Sequence, residues 1–78
     1  MRVIAIRNSG EKEVNIYGYG EYLGKKPCSE LGNIKNPCIK LDNGKTVWGY
    51  QCWWGNAEKV EKEIIKDKKV NIVEVEEV

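Results

Sequence analysis

Apolar and polar residues alternate along this chain in several different rhythms, and one stretch has no rhythm at all. Val3-Ile4-Ala5-Ile6 is nearly continuous apolar sequence between Arg2 and Arg7. With turn chemistry following at Asn8-Ser9-Gly10-Glu11, it predicts a buried strand over residues 2–7. Residues 13–23 alternate instead. Val14, Ile16, Gly18 and Gly20 fall on one face, and Asn15, Tyr17, Tyr19 and Glu21 on the other. Glycine at every second position bares one side of that strand, as at a bulge, a barrel corner or a close approach by another backbone or a ligand. From Gly24 to Pro37 the chain holds glycines, two prolines, three lysines and little periodicity. It is expected to be a loop, unusually long for so small a domain and therefore functional or mobile.

Asp42-Asn43-Gly44-Lys45 is the clearest local signal. Asn-Gly between alternating segments predicts a hairpin with a two-residue type I′ turn, which needs φ > 0 at both central residues. With Asn43 and Gly44 as the turn, Asp42 faces Lys45, Leu41 faces Thr46, Lys40 faces Val47 and Ile39 faces Trp48. One face then gathers Ile39, Leu41, Trp48, Tyr50, Cys52 and Trp54 as core. The other gathers Asn36, Lys40, Gly49, Gln51 and Trp53, polar except for one indole beside a glycine.

Asn56 is a good N-cap for a helix over about 57–67. Its apolar stripe is Ala57, Val60, Ile64 and Ile65, and Glu58 and Lys62 form a favourable i,i+4 pair. Residues 69–75, dense in Val and Ile, close the chain as a strand. The expected fold is one domain over residues 1–78, β-rich α+β. It is a small curved antiparallel sheet or SH3-like barrel, with one helix before the last strand plugging one end.

Composition narrows the function. The chain has 78 residues and a formal net charge of +1, which gives no general pull toward nucleic acid or membrane. Residues 1–55 hold eight Lys and Arg against five Asp and Glu, a balance of +3, and the remainder stands at −2. That excess is too small for duplex DNA and suits a small anion. No apolar run approaches the roughly 20 residues of a membrane span, and Met1–Arg7 is too short an apolar start for a signal peptide. Three cysteines without CxxC spacing argue for free thiols in a reducing compartment, with cytoplasm as the expectation.

Histidine is absent, which removes the commonest general base and metal ligand. No metal, no cofactor and no catalytic residue is expected. Gly18-Tyr19-Gly20-Glu21-Tyr22-Leu23-Gly24 is GxGxxxG, one residue off the dinucleotide fingerprint and with no helix after it, so tight strand packing is its better account. The aromatics say more. Phe is missing, while Tyr17, Tyr19, Tyr22, Tyr50, Trp48, Trp53 and Trp54 form two clusters. Tyr and Trp join an apolar face to a hydrogen-bonding tip, which suits half-exposed platforms for bases as well as a small core or a subunit interface. The expected ligand surface is Tyr17, Tyr19, Lys25, Lys26, Asn36, Lys40, Gln51 and Trp53. Its rings would stack, and its lysines are either solvated charges or phosphate contacts.

The segment Tyr17-Gly-Tyr-Gly-Glu-Tyr-Leu-Gly24, with the segment from Asn36 to Gly55, resembles a family of small phage and prophage proteins. Its most specific part is Val47-Trp48-Gly49 with Cys52-Trp53-Trp54-Gly55. That family is similar to viral nucleotide sponges of the anti-CBASS type. The resemblance implies several small subunits in the host cytoplasm that assemble and enclose a cyclic dinucleotide or similar signal without cleaving it. So short a chain with three tryptophans and a two-faced sheet is expected to form a homodimer or homotetramer. No binding motif of that group maps residue by residue onto this chain. Other classes remain open: an SH3-like adaptor, a single-stranded nucleic-acid module, or a host-protein binder acting through the Trp53 patch.

Overall fold

The computed structural model describes residues 1–75. Its strands are β1 (Arg2–Ser9), β2 (Glu13–Cys28), β3 (Ile34–Leu41), β4 (Thr46–Trp48), β5 (Trp53–Asn56) and β6 (Lys69–Ile72). Across the sheet they run β4-β3-β2-β1-β5 with antiparallel neighbours, and β6 joins β2 in parallel. A parallel pair needs a crossover connection. Here α1 (Ala57–Val60) and a π-helical turn, Glu61–Ile65, carry the chain from β5 to β6. The sheet curls without closing, and a 3₁₀ turn at Gly49–Gln51 links its end strands β4 and β5. This is the β-rich α+β curved sheet expected, with one short helix before the last strand.

The apolar run at 3–6 becomes a strand buried on both faces. Val3 and Ala5 point into the curl, against Ile39, Leu41 and Val47. Ile4 and Ile6 point the other way, against Val14, Ile16, Ala57 and Val60, with Ile64 and Ile65 at the margin. All four β1 residues are almost fully excluded from water, and the Val and Ile side chains among them contribute about 1.5–3 kcal/mol each when fully buried. The helix that covers the outer cluster starts where expected: Asn56 Oδ1 accepts from the Lys59 N–H at 3.2 Å.

Three expectations are corrected. The first is the hairpin register. The structure pairs Cys38 with Trp48, Ile39 with Val47 and Lys40 with Thr46. Asp42, Asn43 and Gly44 form a three-residue loop, in which Gly44 N–H donates to Leu41 O at 2.9 Å and Leu41 N–H to Lys45 O at 2.8 Å. Only Gly44 takes positive φ in this turn (+90°), and Asn43 uses its side chain to accept from Lys45 N–H at 2.9 Å. That is a type I turn followed by a left-handed glycine, the commonest alternative to type I′. One residue of slip exchanges the faces of a strand. Val47 therefore fills the core, while Trp48 is half-buried and Tyr50 is exposed.

The second correction concerns Tyr17 and Tyr19. Ala5 pairs with Gly18 but Ile6 with Ile16, so a bulge lies in β2 at Tyr17-Gly18. It reverses the alternation. Tyr17 packs on the inner cluster and Tyr19 on the outer. The third is the stretch 24–37, which is not a loop. β2 and β3 continue as a paired arm, with Lys25 opposite Pro37 and Lys26 opposite Asn36, turning at the 3₁₀ segment Ser29–Leu31. The arm lacks apolar alternation because most of it extends beyond the two core clusters and is held by its backbone ladder, although Cys28 near its tip is buried. Pro27 is tolerated there because β1 pairs no further along β2 than Glu21, which leaves that edge open.

Gly20 lets β3 approach β2: a Cβ there would lie 2.4 Å from Lys40 O, whereas one at Gly10 would meet nothing nearer than Glu13 O at 3.6 Å. Gly20→Ala should therefore lower stability by about 1–3 kcal/mol, the usual cost of overpacking. Gly10→Ala should be tolerated. Urea midpoints of the two variants, at unchanged slope, test the close approach.

Candidate functional site

β5 is positioned by β1 alone, through Ile6 opposite Trp53 and Ala5 opposite Trp54. Alternation then sends the two neighbouring indoles to opposite faces. Trp54 turns inward and stacks on Tyr22, with centroids 4.7 Å apart and planes at 20°. Trp53 turns outward and is 78% exposed. An indole this exposed contributes little to the core, so its surroundings decide what it does.

Two hollows border it. One, of about 460 Å³, is lined by Arg7, Tyr50, Gln51, Cys52, Trp53 and Trp54 above Gly49. The other, of about 430 Å³, is lined by Ile6, Arg7, Asn8, Ser9, Trp53 and Ile64. Trp53 and Arg7 belong to both. Both volumes fall within the ~300–1,000 Å³ of small-ligand pockets.

The 3₁₀ turn forming one wall is held by side chains. Gln51 Oε1 accepts from Trp48 N–H at 2.9 Å, and Asn36 Oδ1 accepts from Tyr50 N–H at 3.1 Å. Gly49 lies against the Pro37 ring, which a Cβ would approach to 2.8 Å. At the other wall, a ladder of amides crosses three strands. Asn71 Nδ2 donates to Asn15 Oδ1 at 3.1 Å, and Asn15 Nδ2 to Asn8 Oδ1 at 2.7 Å.

Of the residues expected to bind ligand, the structure brings Gln51 and Trp53 together and uses Asn36 as a strut beneath them. The others lie elsewhere. Tyr17 and Tyr19 border a separate hollow of about 280 Å³, with Leu41, Asp42 and Ile72. The Tyr19 hydroxyl is pushed up by burial and by the Glu61 carboxylate to which it donates. Asp42 is engaged by Arg2 through two bonds, of 2.7 and 2.6 Å, and this guanidinium lowers its carboxyl below the usual range. Lys40 is exposed opposite Glu21 and Thr46, and Lys25 and Lys26 are on the arm. None of the three lysines lines the Trp53 hollows. Sequence reasoning missed Arg7, Asn8 and Ser9, which reach the site only through the pairing of β1 with β5, some fifty residues away along the chain. It also placed Tyr50 in the core. Glycine at 49 was the available signal that the strand breaks there.

Cys28 and Cys38 are buried and Cys52 half-buried, all as free thiols. Burial pushes the Cys52 thiol up to about 11, so it is not a thiolate at neutral pH. Among the described residues no group of three or more His, Cys, Asp or Glu is placed to hold a metal. Among the described residues no helix is long and apolar enough to cross a membrane.

An unfolded Cys52 loses its proton near its ordinary value of 9, while the folded one keeps it to about 11. Its stabilising share is thus complete below pH 9 and is lost as pH rises through 11. Wild-type protein should lose more stability than Cys52→Ala across that window. Urea midpoints of both proteins at pH 8.5 and 11 check the difference.

No family model matches this chain, and neither a curated protein nor a solved structure matches it.

Proposed function

We propose that this domain binds and sequesters a nucleotide without cleaving it, by stacking a base on Trp53, in the manner of a phage nucleotide sponge. The observation that carries the reading is the 78% exposed indole standing between two hollows that it shares with Arg7. An aromatic face offers any base a stacking surface, and a guanidinium beside it suits phosphate. The side chains around Trp53 support binding over catalysis: the thiol of Cys52 holds its proton far above neutrality, and among the described residues no carboxylate lines either hollow.

A homodimer or homotetramer is part of the same proposal. Leu23 and Ile34 on the arm are 46% and 65% exposed, and Ile72 on β6 is 74% exposed. These apolar side chains supply contact surface that a 78-residue chain has little other means of covering. The three free thiols suit a reducing cytoplasm.

A second reading, single-stranded nucleic acid, draws support from the arm, where Lys25, Lys26 and Lys35 are exposed. It requires affinity that falls steeply with salt and rises with strand length.

Stacking on an aromatic contributes about 1–3 kcal/mol per base, roughly 5- to 150-fold in affinity. Trp53→Ala should weaken nucleotide binding by that factor and leave the urea midpoint unchanged. Titration calorimetry with adenine, guanine, cytosine and uracil nucleotides on both proteins tests it, and a wild-type protein that binds none of them at micromolar concentration rejects the reading. Sedimentation at tens of micromolar should show dimer or tetramer. A monomer throughout removes the assembly from the proposal.

A further inference from the structure

On one side β6 is paired in parallel with β2. On the other, among the described residues, it meets no strand. Lys69 N–H donates to Lys12 O at 2.9 Å and Val73 N–H to Ile16 O at 2.8 Å, so Lys69, Asn71 and Val73 aim their backbone groups at β2. Val70 and Ile72 alternate with them and aim theirs at the open edge. Their side chains are 39% and 74% exposed. The open edge of the arm is blunted by Pro27 and by a register shift between Tyr22 and Lys25. β6 carries neither device, and such an edge is a template for another strand.

We propose that β6 pairs antiparallel with β6 of a second copy of this chain, about a twofold axis at Asn71. This rests on the assembly proposed above and names its surface. Each Val70 then lies opposite Ile72 of the other copy, and the two exchange both of their backbone hydrogen bonds. These apolar side chains adjoin Val14 and Ile16, which belong to the outer cluster. Lys68 falls opposite Glu74 of the other copy. Lys68 already donates to Ser9 Oγ and Glu74 already accepts from Lys45, but an ammonium has three donors and a carboxylate two acceptor oxygens. An axis at Val70 or at Ile72 would instead set Lys68 opposite Ile72 or Val70 opposite Glu74, a charge against an apolar side chain. Charge complementarity therefore selects the axis at Asn71.

The amide ladder points to the same axis. It runs from Asn8 through Asn15 to Asn71, and Asn71 is half-buried on the edge strand. Asn71 gives one amide hydrogen to Asn15, and an asparagine amide has a second hydrogen and an acceptor oxygen besides. At the axis the two Asn71 residues form a non-hydrogen-bonded pair, in which Cα atoms stand about 4.5 Å apart and side chains approach most closely. Each amide then donates to the other, and the ladder continues from Asn8 of one copy to Asn8 of its twin. A single polar pair of this kind fixes the register between two identical elements. Asn8 also lines one of the Trp53 hollows, so the interface and the candidate site share a hydrogen-bonded chain.

Two measurements test the pairing. Ile72→Lys sets an ammonium against Val70 of the other copy. At tens of micromolar it should sediment at half the wild-type mass, with its urea midpoint unchanged. Cross-linking reads the register. Disulfides join Cα atoms about 4.4–6.8 Å apart, so Asn71→Cys should oxidise to a covalent dimer. Ile72→Cys should not, because its counterpart is displaced by two residues, about 6.6 Å, along the neighbouring strand. The cysteine variants decide the question even if Ile72→Lys fails to fold. A wild-type oligomer whose mass persists in Ile72→Lys overturns the β6 pairing and leaves the assembly standing. A disulfide formed at residue 72 in preference to 71 overturns the axis at Asn71. A monomeric wild-type protein overturns the pairing and the assembly together.

Discussion

Everything in this fold depends on β1 being excluded from water on both sides. Val3 and Ala5 complete the inner cluster, and Ile4 and Ile6 complete the outer one. Because β1 lies between β2 and the end strand β5, its two partners are fixed by it. β2 lies on one side and β5 on the other, and the helix must lie over the outer face to cover Ile4 and Ile6. The Trp53 surface follows from this arrangement. Among the described residues β5 has no other strand to hold it, so the outward direction of Trp53 is set by the inward direction of Trp54, which is required by the core and by Tyr22.

What was legible in the sequence was what local chemistry determines. The apolar run at 3–6, the Asn56 cap and the glycine that admits β3 are each readable because their cause lies within a few residues. The Asn43-Gly44 turn was legible as a turn but not in its length, because both available geometries accept a left-handed glycine at residue 44. The choice between them is made by which residue, Val47 or Trp48, fits the space beneath Ile39 and Leu41. The arm was illegible for a different reason: a ladder held by backbone hydrogen bonds leaves no side-chain rhythm to read.

The site was legible only in part. Trp53 was expected to face outward, and it does, but for another reason than the one given. The assumed register was one residue off, and the 3₁₀ turn at Gly49–Gln51 separates β4 from β5, so pairing with β1 decides the facing. Unbroken alternation through Gly18 puts Tyr17 and Tyr19 on one face. A bulge is invisible to a period-two pattern, and it packs Tyr17 against the inner cluster and Tyr19 against the outer one, although both residues border one hollow. Arg7 entered the site through a contact between the two ends of the sequence that no local pattern encodes.

The pairing of Ile4 with Gly55 has a consequence for how the chain acquires its structure. A growing polypeptide makes β1 first, yet the strand and helix that shelter it come in the last third. Until then, one of the most apolar segments of the molecule has only half of its cover, from β2 and the hairpins that follow. Contacts between distant parts of a chain close slowly, because the loop entropy must be overcome before they stabilise anything. Completion of the molecule is therefore a late and collective event, in which docking of the helix and formation of the indole surface occur together. A chain interrupted before Trp53 would lack more than its ligand platform: it would leave an unprotected strand edge along β1, the kind of surface on which other chains assemble.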